Sequence, residues 1–285
     1  MFVIAGVTGH VGSATAKSLL AKGAKVKVIV RDAKKGAEWS KLGAEVAQGS
    51  ITDTAFLTGA LKGAEGFFTL LPPDFVSADL FAGQKATSDA IAAAVKASGI
   101  KHVVLLSSVG AHLSEKNGPI KGLNYLEGAL KATGVTLTAL RPGSFQENVH
   151  NSVGAAKATG QFYNLSLSAD YAYPQIATQD IGAFAAEALL AKPAKSESVL
   201  ILGPSYSPRQ VAEKLGAALG KTLQIVDVPM ANWAGALQQG GVPKPMADAL
   251  AEMYVGFNTG IITGVGDRTV QGTTTIDEVI KHAIA

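Results

Sequence analysis

The sequence predicts an α/β protein: a Rossmann-type doubly wound parallel sheet with a smaller C-terminal α/β lobe. Three observations predict it. The chain opens on a short apolar run, Phe2 to Ala5, that breaks into a glycine-rich turn and then a small-residue helix. Apolar, β-rich runs then alternate with helix-like segments as far as Arg141. After Pro142 the segments become shorter and turns more frequent.

The bulk composition sets limits. A chain of 285 residues holds one large α/β domain, or one domain plus a small lobe. With 47% hydrophobic and 16% charged residues, it reads as a well-buried globular protein. The net charge is +3 and no long Lys/Arg block stands out, so no nucleic-acid partner is expected. The absence of cysteine excludes disulfides, thiolate catalysis, Fe–S clusters and cysteine-ligated zinc. The histidines at 10, 102, 112, 150 and 282 show no paired metal spacing, and no metal is expected. No apolar stretch is long enough to span a bilayer, and the start lacks the basic leader of a signal peptide. A cytoplasmic monomer or homodimer without a membrane partner is the expectation.

The elements follow in order. Phe2–Ala5 suits a strand buried on both faces. Ser13 to Lys22 reads as a helix, and Gly23 ends it. Lys25 to Val30 is the second strand, and Ala44 to Gln48 a short third. Ile51 to Leu61 is a helix that Thr52 or Asp53 can cap. Gly66 to Leu71 is the fourth strand, closed by Pro72-Pro73. Ala78 to Ser98 reads as a long helix, Lys101 to Ser108 as the fifth strand, Asn124 to Thr133 as a helix and Val135 to Arg141 as the sixth strand. Beyond residue 150, strands at Gln161–Leu165, Ser198–Leu202 and Thr222–Val228 alternate with helices at Asp180–Ala191 and Pro208–Leu219. Ala231 to Phe257 reads as two helices split near Gly240–Pro243, and Ile276 to Ile284 closes the chain. Residues 1–150 form the dinucleotide-binding domain; residues 151–285 return to the sheet and build the smaller substrate lobe, with a soft boundary.

Strand, glycine turn and helix, in that order, make a phosphate cradle. Gly6-Val-Thr-Gly-His-Val-Gly12 lets the backbone turn sharply and approach an oxyanion closely. The helix start then aims unpaired N–H groups and the positive dipole end at the anion. The spacing is G-x-x-G-x-x-G rather than G-x-G-x-x-G. In such folds the residue ending the second strand faces the adenosine ribose. An acid accepts from a free 2′-hydroxyl; an arginine pairs with a 2′-phosphate. Here Arg31 comes first, which favours NADP over NAD, and Asp32 leaves the acid alternative open. Lys34 and Lys35 either join this basic corner or form a solvated turn.

Together with Val30-Arg-Asp32, Leu106-Ser-Ser-Val-Gly110, Glu127 and Leu140-Arg-Pro-Gly-Ser-Phe-Gln-Glu-Asn148, the first turn resembles the NmrA-like family of atypical short-chain dehydrogenase/reductases. The stretch from Pro204 to Pro245 also looks like members that reduce quinones or triphenylmethane dyes. The resemblance covers essentially the whole chain. It implies that Gly6, Thr8, Gly9, His10, Val11 and Gly12 bind a pyrophosphate and Arg31 the 2′-phosphate. It places Leu70, Leu71 and Pro72 beside the nicotinamide ribose and Phe145 behind the nicotinamide. One departure is Ser50, where relatives often carry an acid near the adenine.

The usual Tyr-x-x-x-Lys dyad is missing. Four residues after Tyr125 stands Ala129, and Lys121 precedes the tyrosine by a turn. Alcohol–ketone chemistry in the usual form and sugar-nucleotide epimerisation are therefore disfavoured. Quinones, azo groups and cationic dye carbons are strong hydride acceptors and need a dry, flat pocket more than an acid. Phe75, Phe81, Phe145, Phe162, Tyr163, Trp233 and Met246 can supply that pocket, or simply pack the core. Asn124 and Tyr125 can orient a substrate oxygen, or Tyr125 anchors its helix. Ser107 and Ser108 end a central strand and are expected to bond ribose, nicotinamide or substrate. With His112 they lack a G-x-S-x-G elbow and an assignable acid, which argues against a hydrolase. Arg141 is expected to clamp Glu127 or Glu147. Two functions follow. One is an NADPH-dependent reductase of flat, electron-poor aromatics such as quinones or dyes. The other is a non-catalytic NADP(H)-reading redox sensor. A methyltransferase using S-adenosylmethionine shares the glycine turn but has no need of Arg31.

Overall fold

In the computed structural model, which describes residues 1–285, strands and helices alternate through the first half. They are β1 (Phe2–Ile4), α1 (His10–Ala21), β2 (Val26–Val30), α2 (Ala33–Lys41), β3 (Glu45–Gln48), α3 (Thr54–Leu61), β4 (Gly66–Leu70), α4 (Leu80–Ser98), β5 (His102–Leu106), α5 (Ile120–Ala132) and β6 (Thr136–Pro142). The second half runs β7 (Ser144–Phe145), a 3-10 turn (Gln146–Val149), α6 (His150–Thr159), β8 (Gln161–Asn164), β9 (Tyr173–Ile176), α7 (Thr178–Ala191), β10 (Glu197–Leu202), β11 (Ser205–Tyr206), α8 (Pro208–Leu219), β12 (Gln224–Asp227), α9 (Trp233–Gln239), α10 (Lys244–Asn258), β13 (Arg268–Gln271) and α11 (Ile276–Ile284).

The main sheet has 8 strands in the order β13-β10-β6-β5-β4-β1-β2-β3. Every pairing in it is parallel. The strand order reverses at β1, between β4 and β2. In open α/β sheets ligands bind outside the carboxyl ends of the strands at such a switch point. Gly6 follows β1 and Leu70 ends β4, so the predicted cradle lies at that crevice.

Apolar runs form these strands because both faces are covered. On one face Phe2, Ile4, Val28, Phe68, Val104 and Leu140 pack with α1 and α7. On the other, Val3, Ala5, Phe67, Val103, Leu105 and Leu137 pack with α3, α4 and α5. Each phenylalanine buried here contributes roughly 2–3 kcal/mol. Helices α1 and α7 approach closely: a Cβ on Gly182 would meet Ala14. A separate core of Val149, Ala156, Phe162, Val211, Leu215 and Ile276 holds α6, α8 and α11 together. Small sheets β11-β9-β7 and β12-β8 complete that region.

Several boundaries differ from those the sequence suggests. Lys34 and Lys35 lie in α2, not in a turn. Asp32 caps that helix by accepting from the Lys34 N–H, and Trp39 buries its inner face. The first helix starts at His10 and α5 at Ile120, each earlier than the periodicity shows. Asp53, not Thr52, caps α3. The fifth strand stops at Leu106, leaving Ser107 and Ser108 in the following loop. No helix is long and apolar enough to cross a membrane.

Candidate active site

The glycine turn has the shape an anion seat needs. Gly6 sits at φ +70, where an L side chain is strained, and a Cβ there would strike the Leu70 side chain. The Gly9 N–H donates to the Gly6 carbonyl at 3.0 Å, closing the turn. Gly9 is the N-cap of α1, and no side chain caps this helix. The N–H groups of His10, Val11 and Gly12 therefore have no acceptor within the helix and face outward with its positive dipole end. Gly12 packs the helix start onto the turn: a Cβ there would lie 2.5 Å from the Gly6 carbonyl carbon and 2.8 Å from the Ala5 oxygen. A Cβ on Gly9 would meet only the Gly6 oxygen, at 3.5 Å, so this side of the cradle is open. Thr8, Gly9 and His10 are exposed along it.

At the neighbouring corner Arg31 is exposed, and its guanidinium makes no ion pair or hydrogen bond within the protein. Asp32 faces the helix it caps. Leu70 lies against Gly6 and lines the crevice. Leu71 instead turns its side chain towards Gly122 of α5, so only its backbone remains at the strand end. Pro72 and Phe75 are exposed in the loop that follows, with Phe75 51% exposed. Phe145, on β7, pairs with Ile176 of β9 and packs partly on the core beneath α7.

Other expected residues have different roles. The Ser107 hydroxyl is buried and donates to Glu127 at 2.6 Å. Arg141 donates to both oxygens of the same carboxylate, at 3.0 and 2.6 Å, and to the Val265 carbonyl. The clamp expected for Arg141 thus goes to Glu127. Glu147 accepts from Thr178 at the start of α7. Ser108 donates to the Val109 carbonyl, and neither serine bonds to His112. Burial first, then the nearby Arg141 cation, holds the His112 imidazole below its ordinary range.

Tyr125 does not face the strand ends. Its hydroxyl donates to Asp89 of α4 at 2.7 Å, and its ring meets Phe81 edge-on at 6.2 Å. It anchors α5 to α4. Asn124 ties the same helix to the Ala111 carbonyl at 2.8 Å. Phe162 and Trp233 are core residues rather than pocket walls. Phe162 is 8% exposed among the residues under α6 and α8. Trp233 is wholly buried, donates to the Val228 carbonyl and meets Tyr254 edge-on. Tyr163, on the opposite face of its strand from Phe162, is exposed and bonds to Gln161.

A groove of 490 Å³ opens instead between the starts of α4 and α5 and helix α10. Leu80, Phe81, Gln84, Lys116, Lys121 and Ala249 line it. The Lys121 ammonium lies over the Phe81 ring, 4.3 Å from its centroid. Sequence reasoning named Phe81 and, on the helix facing it, Met246; Met246 is buried, and α10 turns Pro245, Ala249 and Glu252 to the groove instead. Two phenols escaped sequence reasoning. Burial, then the proximity of Tyr254, pushes the Tyr173 phenol up, and burial does the same to Tyr254. Both remain protonated at neutral pH.

Comparison with known proteins agrees with this geometry. An NAD(P)H azoreductase of Xenophilus azovorans is 27% identical over 291 residues, covering 100% of this chain and 99% of that protein. Quinone oxidoreductase 2 of Escherichia coli strain K12 is 28% identical over 293 residues, covering 99% and 98%. The crystal structure of the Escherichia coli NADPH-dependent quinone oxidoreductase complexed with NADPH superposes with a TM-score of 0.82 at 25% identity, covering 100% of both chains. Triphenylmethane reductase of Citrobacter sp. shares the fold, with a TM-score of 0.78 at 18% identity and 99% of each chain covered. Residues 1–281 match the NmrA-like family, and the chain belongs to it.

Proposed function

We propose that the protein is an NADPH-dependent oxidoreductase that passes hydride to a quinone or a similar flat, electron-poor acceptor such as an azo or triphenylmethane dye. The observation that carries the reading is the open glycine seat beside an unpaired Arg31. The residues fit the coenzyme. The turn offers a diphosphate the N–H groups of His10, Val11 and Gly12, and Gly9 leaves it room to approach. Arg31 has its charge free for a 2′-phosphate. The full-length relatives named for NAD(P)H or quinone support the same assignment.

When bound, NADPH supplies the hydride. The chain's own residues bind, orient and exclude water. Leu70, the Leu71 backbone, Pro72 and Phe145 flank the nicotinamide end of the crevice. The groove lined by Leu80, Phe81 and Ala249 receives the acceptor, and the exposed Phe75 lies in the loop before α4. Tyr125 is bonded to Asp89, so no tyrosine–lysine pair polarises a carbonyl there. That suits acceptors whose electron deficiency already drives the transfer.

A panel of quinones, azo dyes and triphenylmethane dyes, each with NADPH, tests the reading. Acceptor-dependent loss of NADPH absorbance is expected for at least one class. Tight NADPH binding with no turnover on any member would overturn the enzyme reading and favour the sensor.

A further inference from the structure

The geometry points to His150 as an additional coenzyme-binding residue, which donates to the diphosphate from the side opposite the α1 N–H groups. The inference rests on the coenzyme assignment above. His150 opens α6, directly after the turn Gln146–Val149. That turn is fixed in place. Glu147 accepts from the Thr178 N–H at 2.9 Å and from the Thr178 hydroxyl. Thr178 begins α7, and α7 packs on α1 where Gly182 meets Ala14. This linkage holds the start of α6 over the start of α1.

The result is a pair of imidazoles at the start of α1, the helix whose free N–H groups form the anion seat. The His150 ring stands edge-on to the His10 ring, with centroids 5.8 Å apart and planes at 74°. His10 is the first residue of α1, and its own N–H faces the seat. Both rings are exposed. Each of the hydrogen bonds found for histidine side chains belongs to His102 or His282, so neither ring of this pair has a protein partner. An imidazole carries at least one N–H in either protonation state. Two unpartnered rings beside free backbone N–H groups extend the donor set of the cradle. His150 brings its donor from beyond the sheet's sixth strand, so the coenzyme would be held by both halves of the chain.

The test is calorimetric titration of the coenzyme-free protein with NADPH and with 2′-AMP, which carries the ribose phosphate but no diphosphate. His150→Ala should raise the Kd for NADPH about five- to tenfold, the loss of one hydrogen bond to a charged group at an exposed site, and leave 2′-AMP unchanged. His150→Gln, which keeps a donor, should recover part of the loss. An unchanged NADPH Kd in His150→Ala, or equal weakening of both ligands, would overturn the inference while leaving the coenzyme assignment intact. Failure of the unsubstituted protein to bind NADPH would overturn the assignment and this inference with it.

Discussion

The glycines of the first turn divide two jobs between them, and replacing each by alanine separates the jobs. At Gly12 the new Cβ would sit 2.5 Å from the Gly6 carbonyl carbon and 2.8 Å from the Ala5 oxygen. These are backbone atoms of a buried strand and its turn, so no side chain can swing aside. The cost is about 3 kcal/mol, the upper end for an overpacked site. For a chain of this size that lowers the melting temperature by about 5 °C. At Gly9 the backbone is extended, with φ −105 and ψ 175, a conformation any residue adopts. The new methyl meets only the Gly6 oxygen at 3.5 Å, an ordinary contact. Removing glycine's freedom from the unfolded chain contributes about 0.4–1 kcal/mol of stability. Alanine is a poorer N-cap than glycine, which offsets that gain, so Gly9→Ala should melt near the parent temperature. It should nevertheless weaken NADPH about tenfold or more, because the methyl stands where the diphosphate must approach the N–H groups. Thermal melts and calorimetric titrations of both variants measure the split. If Gly9→Ala binds NADPH like the parent, the anion does not sit against that glycine. If Gly12→Ala melts like the parent, the turn is not the rigid seat described here.

Three further outcomes are expected. Arg31→Ala should weaken NADPH about tenfold or more while sparing NADH, since only the former carries the phosphate this cation faces; equal losses would refute the basic corner. Arg141→Met should cost about 3 kcal/mol in urea unfolding, because it leaves the buried Glu127 carboxylate with only the Ser107 hydroxyl and the half-exposed Lys131 ammonium, 3.8 Å away, as partners. The double variant Glu127→Leu/Arg141→Met should recover much of that, and a double variant as unstable as the single would count against the clamp. Burial holds the His102 imidazole below its usual 6.5, with Glu197 opposing weakly. Its folded-state value is depressed, so its contribution is complete above pH 6.5 and is lost as the pH falls through the folded value. Urea midpoints should decline below that pH, and His102→Gln, which can keep a bond to Thr138, should flatten the decline.

What the sequence disclosed follows from the range of the forces involved. A strand buried on both faces must be apolar along its length, so β1, β4 and β5 were visible as runs. The anion seat is made of consecutive residues, and its chemistry is legible in seven letters. Helix α2 was hidden because its identity depends on Asp32 capping it and Trp39 finding the core, while Lys34 and Lys35 advertise solvent. Aromatic residues were the least legible. Phe162 and Trp233 could be pocket walls or core in sequence, and their burial decides for the core. For Tyr125 the sequence left substrate contact and helix anchoring open, and its bond to Asp89, 36 residues earlier, favours the anchor.

The coenzyme half of the site is written in contiguous backbone, so its reading transfers between relatives that share a quarter of their residues. The groove proposed for the acceptor is assembled from the starts of α4 and α5 and from α10. Its walls come from segments far apart in the chain, each free to change without disturbing the sheet. Coenzyme choice should therefore be uniform among chains that keep the glycine seat and an arginine ending the second strand. Acceptor choice should follow the groove around Phe81 and Lys121 instead. Exchanging the groove segments 78–84 and 115–121 between this chain and a relative of different acceptor range should move the range and leave NADPH affinity in place. If the affinity moved with the groove, the two halves would not be separable as argued.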